Sequence, residues 1–219
     1  KTLRDNGKKV SIAMEMFQVS FQKVLDEYIA GNVTLEEFLE KSQYFKKWKF
    51  DYNLYKPIID YARLHKIPIV ALNIDRNVTK SVSKKGLLSL KEKYKKQLPK
   101  KIDQSNLAYK NSLDNIFKEH MPTSKDSGKH ISSKINLDYY YQSQLVWDEI
   151  MAQNIDKYMK DKDNEILVVV VGSGHVLEHN GIPSRVFKRN QLLYKVILND
   201  ISTSKVGDIV FYNKKNTKI

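Results

Sequence analysis

The run Glu165-Ile166-Leu167-Val168-Val169-Val170-Val171 ends in Gly172-Ser173-Gly174-His175, and no other stretch limits the fold so sharply. Successive β-branched side chains crowd a helix but pack well on a pleated surface, and an unbroken apolar run suits a strand covered on both faces. The glycines let the chain turn tightly and approach a ligand closely. The run therefore predicts a buried strand whose carboxyl end carries His175 at the rim of an α/β sheet.

Two earlier segments repeat the pattern. Val10-Ser11-Ile12-Ala13-Met14 follows Asn6-Gly7, a helix-stop signal, and Ile67-Pro68-Ile69-Val70-Ala71-Leu72 places proline near a strand start. Between them, Phe17, Phe21, Val24, Leu25 and Tyr28 recur at helical spacing until Gly31, and Thr34 with Glu37 forms a capping box for a further helix. Tyr55, Ile58, Ile59 and Ala62 mark another helix. Beyond Gly86 and its flanking helical stretches, a helix is predicted from Leu107 to His120. A long one follows, with Tyr140, Gln144, Trp147, Asp148, Met151, Ile155 and Tyr158 on one face. Residues 194–198 and 208–212 read as edge strands. Alternating strands and helices predict an α/β fold with a largely parallel central sheet and helices on both faces, whose ligands bind beyond the carboxyl ends of the strands.

At 219 residues and 41% hydrophobic, the chain is sized for a single domain spanning 1–219. A formal charge of +13 favours anionic partners, but the lysines fall in pairs on polar stretches and no nucleic-acid module is present, so nucleic acid is not an expected partner. The absence of cysteine excludes disulfides, thiolate metal sites and a cysteine nucleophile. No apolar run reaches the roughly 18 residues of a membrane span, and no signal peptide is seen. Residues 123–136 are polar and read as a mobile loop, the best candidate lid.

The predicted strand ends carry the candidate chemistry. Glu15 lies between Met14 and Met16, where a buried carboxylate must be paired, hydrogen-bonded or metal-bound; it is a candidate base, ligand or anchor, or a cap on the next helix. His175 follows a Gly-x-Gly turn, but Leu177 stands where a dinucleotide fingerprint needs its third glycine, which argues against a nucleotide cofactor. Tyr139, Tyr140 and Tyr141 open the long helix. Tyrosinate is a hard ligand suited to ferric iron, whereas aromatic packing is the ordinary role; three consecutive tyrosines cannot all face one core. His175 and His179 are the only histidines at a spacing that would share a helical face, a weak metal signal.

These pieces together closely resemble one family. Ala13-Met14-Glu15-Met16-Phe17, Trp48, Tyr55, Ala71-Leu72-Asn73, Gln144 with Trp147-Asp148-Glu149 and Met151-Ala152, Gly172-Ser173-Gly174-His175, and Gly181-Ile182-Pro183-Ser184-Arg185 are similar to the ChaN family of cofacial haem-binding lipoproteins. That family belongs to the superfamily of erythromycin esterases and Tiki metalloproteases. The resemblance implies a haem-binding protein of bacterial iron uptake, lipid-anchored to the outer membrane on its periplasmic side or at the cell surface. It also implies a homodimer formed around a face-to-face haem pair, with an outer-membrane haem receptor among its partners. Carried onto this chain, the iron ligand is Tyr140, with Tyr139 and Tyr141 as neighbouring alternatives, and His175, His130 and Lys129 are the cofactor-binding histidines and lysine. The family's opening strand and its Gly-Glu-x-His motif would precede Lys1, as would the lipidated cysteine. Hydrolytic relatives imply an alternative, a metal-dependent esterase or peptidase using Glu15 and His175.

Overall fold

The computed structural model describes residues 2–120, 136–162, 164–200 and 207–212. The chain divides into two compact units, Lys1–Asp75 with Ile150–Ile219, and Arg76–Glu149.

The first unit is organised by β1 (Lys9–Gln18), whose residues from Ser11 onward are all buried. It follows a single helical turn that Gly7 terminates at φ 75°, with the Gly7 amide donating to the Arg4 carbonyl. After β1 come α1 (Gln22–Ala30), α2 (Leu35–Lys41), α3 (Tyr44–Lys47) and α4 (Lys56–Leu64), then β2 (Ile69–Asn73). The capping box at α2 forms as expected: the Glu37 amide donates to Thr34 Oγ1 and the Thr34 amide to Glu37 Oε2. One prediction fails here. Phe17 shares the helical spacing of Phe21 and Val24, yet it lies in β1, and regular helix begins only at Gln22. Phe17 is 2% exposed and its ring packs against Phe38 and Tyr44, so tertiary packing holds it in the strand.

The second unit contains α5 (Arg76–Lys85), α6 (Leu107–His120) and the first half of α7 (Leu137–Met159). Tyr109, Leu113, Tyr141 and Leu145 form its apolar cluster across α6 and α7. Gln142 on α7 accepts the Leu87 amide at 2.7 Å, fixing the chain just after Gly86. Asp148 is fully buried and accepts the Tyr109 hydroxyl at 2.5 Å. The buried stripe of α7 begins at Tyr141 and Leu145 rather than at Tyr140 and Gln144, which are half-buried, so its amino-terminal end is rotated by one residue from the predicted face.

From Ile150 the chain rejoins the first unit. Asn154 Nδ2 donates to the Leu72 carbonyl of β2, and Tyr158 shares a hydrogen-bonded cluster with Ser11 and Glu165. β3 (Glu165–Val170) then completes a parallel three-stranded sheet in the order β2-β1-β3, flanked by helices, which is the expected α/β class. β1 is central, and this explains its burial from Ser11 onward. β3 is instead half-buried, with Val168 38% exposed, because among the described residues it pairs only with β1; the fully covered strand expected there is β1.

On the outer side of β2, Gln22 Nε2 donates to the Ile69 carbonyl at 2.8 Å while its Oε1 accepts the Ala71 amide at 2.7 Å. After α8 (Ile182–Asn190), β4 (Ile197–Asp200) and β5 (Ile209–Tyr212) pair in parallel as a separate two-stranded sheet, not as edges of the main one.

Candidate functional site

The sheet register places Glu15. Met14 is the last β1 residue paired with β3, opposite Val170, and between Met14 and Gln18 the ladder with β2 shifts, so Glu15, Met16 and Phe17 face Leu72 alone. Irregularities of this kind re-aim side chains beside functional sites. Glu15 is 6% exposed; its Oε2 accepts the Gly172 amide at 2.8 Å, and its Oε1 lies 3.5 Å from His175 Nε2. Asn73, the last residue of β2, donates from Nδ2 to the Glu15 carbonyl at 3.1 Å and accepts the Ile74 amide through Oδ1. The ends of β2 and β3 thus meet β1 at Glu15, β2 through its main-chain carbonyl and the turn after β3 through its carboxylate.

His175 closes a short 3-10 turn, its amide donating to the Gly172 carbonyl at 3.0 Å. Gly181 has φ 67°, and a Cβ there would overlap the His175 carbonyl, so this position requires glycine on two counts. Buried Arg185 donates to the Gly181 carbonyl at 2.9 Å and fixes the second turn. Burial pulls the Glu15 carboxyl up, but the hydrogen bond and charge of His175, with the Gly172 amide, outweigh it and hold the group below its ordinary 4.5. Glu15 is therefore an ionised anchor that orients the imidazole, and it bonds this turn rather than capping the helix that follows β1. The helical face that the spacing of His175 and His179 would allow does not form. Glu178 and His179 both have positive φ, so no common helical face exists, and His179 Nδ1 lies 3.9 Å from Asp208 instead. Among the described residues no three His, Cys, Asp or Glu side chains are grouped to hold a metal ion.

In the second unit the three tyrosines of α7 part company. Tyr141 is 4% exposed and packs beside Tyr109, with its hydroxyl 3.4 Å from the Asn106 carbonyl. Its burial leaves no face for a planar ligand. Tyr139 lies against Gly86, where a Cβ would come within 2.7 Å of its ring; that glycine, at φ 79°, makes room for it. Tyr140 is half-buried against the apolar cluster, and desolvation raises its hydroxyl above the ordinary 10. Tyr141 thus belongs to the core, whereas Tyr139 and Tyr140 are half-buried. Lys129 and His130, with most of the 123–136 stretch expected as a lid, lie outside the described residues.

Sequence reasoning marked Asn73 as a strand-end residue but not its bond to Glu15, and missed Tyr109 as the partner of Asp148. The signal for Asn73 was its place directly after an apolar run; for Tyr109 it was helical spacing with Leu113. No described helix is long and apolar enough to cross a membrane.

Comparison with known proteins adds three findings. The profile of the family described as haem-binding uptake, Tiki superfamily, ChaN matches residues 1–186. A solved structure, described as cofacial haem binding to ChaN of Campylobacter jejuni, superposes with a TM-score of 0.68 at 21% identity. It covers 97% of this chain and 77% of that one, which shows a shared fold. The protein RETICULATA-RELATED 5, chloroplastic, of Arabidopsis thaliana is 23% identical over 224 residues; the alignment takes in 95% of this chain, but the chain spans only 30% of that relative's length.

Proposed function

Because the chain belongs to the ChaN family of haem-binding uptake proteins, whose cofactor is haem, we propose that it binds haem through a tyrosinate of α7, with Tyr140 as ligand and Tyr139 beside it. The observation that carries this reading is the separation of the three tyrosines: Tyr141 is buried in the core, while Tyr140 is half-buried against the apolar cluster and Tyr139 half-buried beside Gly86. Half-burial offers aromatic surface to a flat ligand together with a phenolic oxygen. Bound haem would supply a ferric centre able to displace the phenolic proton. The finer reading makes the protein a lipid-anchored component of bacterial iron uptake at the outer membrane, on its periplasmic side or at the cell surface. It dimerises around a cofacial haem pair and exchanges haem with an outer-membrane receptor. The cofacial haem binding described for ChaN of Campylobacter jejuni supports that arrangement.

The test is a hemin titration followed in the Soret and charge-transfer bands, alongside sedimentation with and without hemin. Tyr140→Phe is expected to abolish the tyrosinate charge-transfer band and Tyr139→Phe to weaken binding. Spectra unchanged in the double variant would rule out ligation by either tyrosine, and a single mass with and without hemin would remove the dimer.

One observation favours a second reading. The Glu15–His175 pair, an ionised carboxylate orienting an imidazole, is an arrangement suited to general-base chemistry on an ester or peptide. Loss of turnover of such a substrate in Glu15→Gln, with hemin binding intact, would support it; equal turnover would remove it.

A further inference from the structure

The segment from Tyr44 to Lys56 carries a second feature, independent of the haem reading. Phe45, Phe50 and Leu54 are 61%, 56% and 64% exposed within ten residues, interleaved with Lys46 and Lys49. Large apolar side chains concentrated in this way on a soluble surface mark an interaction site. They are not displayed by a slack loop. Tyr44 and Tyr52, buried at 1% and 5%, anchor the segment in the aromatic core, their rings 5.5 Å apart. Gln43 and Lys49 hold left-handed backbone at φ 52° and 72° without being glycine, a conformation that persists only where the surroundings impose it. Trp48 lies half-buried between the anchored and exposed rings, 5.4 Å from Phe50, with its indole N–H 3.4 Å from the Tyr55 hydroxyl.

The charges sort in the same way. Lys47 is engaged by Asp75 at 3.2 Å, Lys56 pairs with Asp60, and Asp51, the one carboxylate of the segment, accepts the Asn53 amide, whereas among the described residues no carboxylate pairs with Lys46 or Lys49. Protein interfaces favour arginine and are depleted in lysine, and this segment has lysines and no arginine. A single-stranded nucleic acid would need the best stacking ring outermost, yet Trp48 is the one turned inward, and Leu54 offers no stacking face. Exposed phenylalanine and leucine, a tryptophan at half depth and lysines long enough to reach outward match the layered chemistry of a bilayer surface: apolar insertion, an interfacial ring, then anionic headgroups. We infer that the Phe45–Leu54 segment docks onto an anionic lipid surface.

The experiment is co-sedimentation of the whole chain, carrying no acyl group, with phosphatidylcholine vesicles containing about a third phosphatidylglycerol. Binding is expected to anionic vesicles, to fall with salt, and to be weak on pure phosphatidylcholine. Lys46→Gln with Lys49→Gln should lower the partition coefficient about fivefold per lysine. Phe45→Ser with Phe50→Ser should lower it by about tenfold or more. All four positions are exposed, so the fold should survive, as circular dichroism would confirm. Lys84→Gln with Lys85→Gln, two exposed lysines elsewhere, should change it by less than about twofold. The proposal is overturned if the parent ignores anionic vesicles, if the Lys84/Lys85 control loses as much binding as Lys46/Lys49, or if the variants lose affinity for a single-stranded oligonucleotide instead. Hemin titration of the same variants should be unchanged, which keeps this result separate from the haem reading.

Discussion

Replacing Glu15 by glutamine keeps the shape of the side chain and an acceptor for the Gly172 amide but removes the charge that faces His175. In the parent, the carboxylate accepts the amide at 2.8 Å and lies 3.5 Å from the imidazole. Hydrogen bonds to a charged group contribute about 1.5–3 kcal/mol, and the imidazole distance is long, so Glu15→Gln should destabilise by about 2 kcal/mol. Glu15→Ala also strips the Gly172 amide, worth about 1 kcal/mol because water can reach that exposed residue, and deletes a buried methylene worth about 0.8 kcal/mol, for a total near 4 kcal/mol. The sign of the pH dependence follows from the direction of the shift. The folded carboxyl is held below 4.5, so its stabilisation is fully present above that value and is lost as pH falls through the lowered one. Urea midpoints for parent and Glu15→Gln should therefore differ at pH 7 and draw together at an acidic pH below 4.5. Equal midpoints at pH 7, or a gap of the same size at both pH values, would refute the argument that the charge on Glu15 holds the turn.

Two further outcomes follow from the tyrosines and from Gly181. Burial raises the Tyr140 hydroxyl, and ligation needs the phenolate, so hemin binding should release a proton and tighten with rising pH, by up to about tenfold per unit below the phenolic range; a flat profile in spectrophotometric titrations would contradict ligation by this group. Gly181→Ala combines a left-handed backbone with overlap on the His175 carbonyl and should cost about 3 kcal/mol in urea unfolding, far more than the same change at Gly174, where a Cβ meets open space.

Much of this architecture was legible in residue order. Runs of β-branched residues marked β1, β2 and β3, a capping box marked α2, and helical spacing gave α6 from Leu107 to His120. What residue order could not convey was which strand lies in the middle. An apolar run says strand, but neighbours are chosen by pairing between residues far apart in the chain, so the run of valines proved to be half-exposed while β1 took the centre. Phe17 misled for a related reason: at a strand-to-helix junction both periodicities pass through the same ring. Glu15 and His175 were legible as strand-end residues, yet the contact between them depends on a shift in the β1–β2 ladder that has no local signature. The tyrosines were legible as a group, and only packing against Tyr109 and Gly86 distinguishes their roles.

Gln22 gives the sheet a boundary made from a single side chain. Its primary amide offers β2 one donor and one acceptor at the spacing a neighbouring peptide group would present, so part of the ladder ends on a mimic of a strand. An exposed edge is a template on which another chain can add. Here part of the template, the Ile69 carbonyl and the Ala71 amide, is occupied by a group that cannot itself be extended, held in place as the first residue of α1.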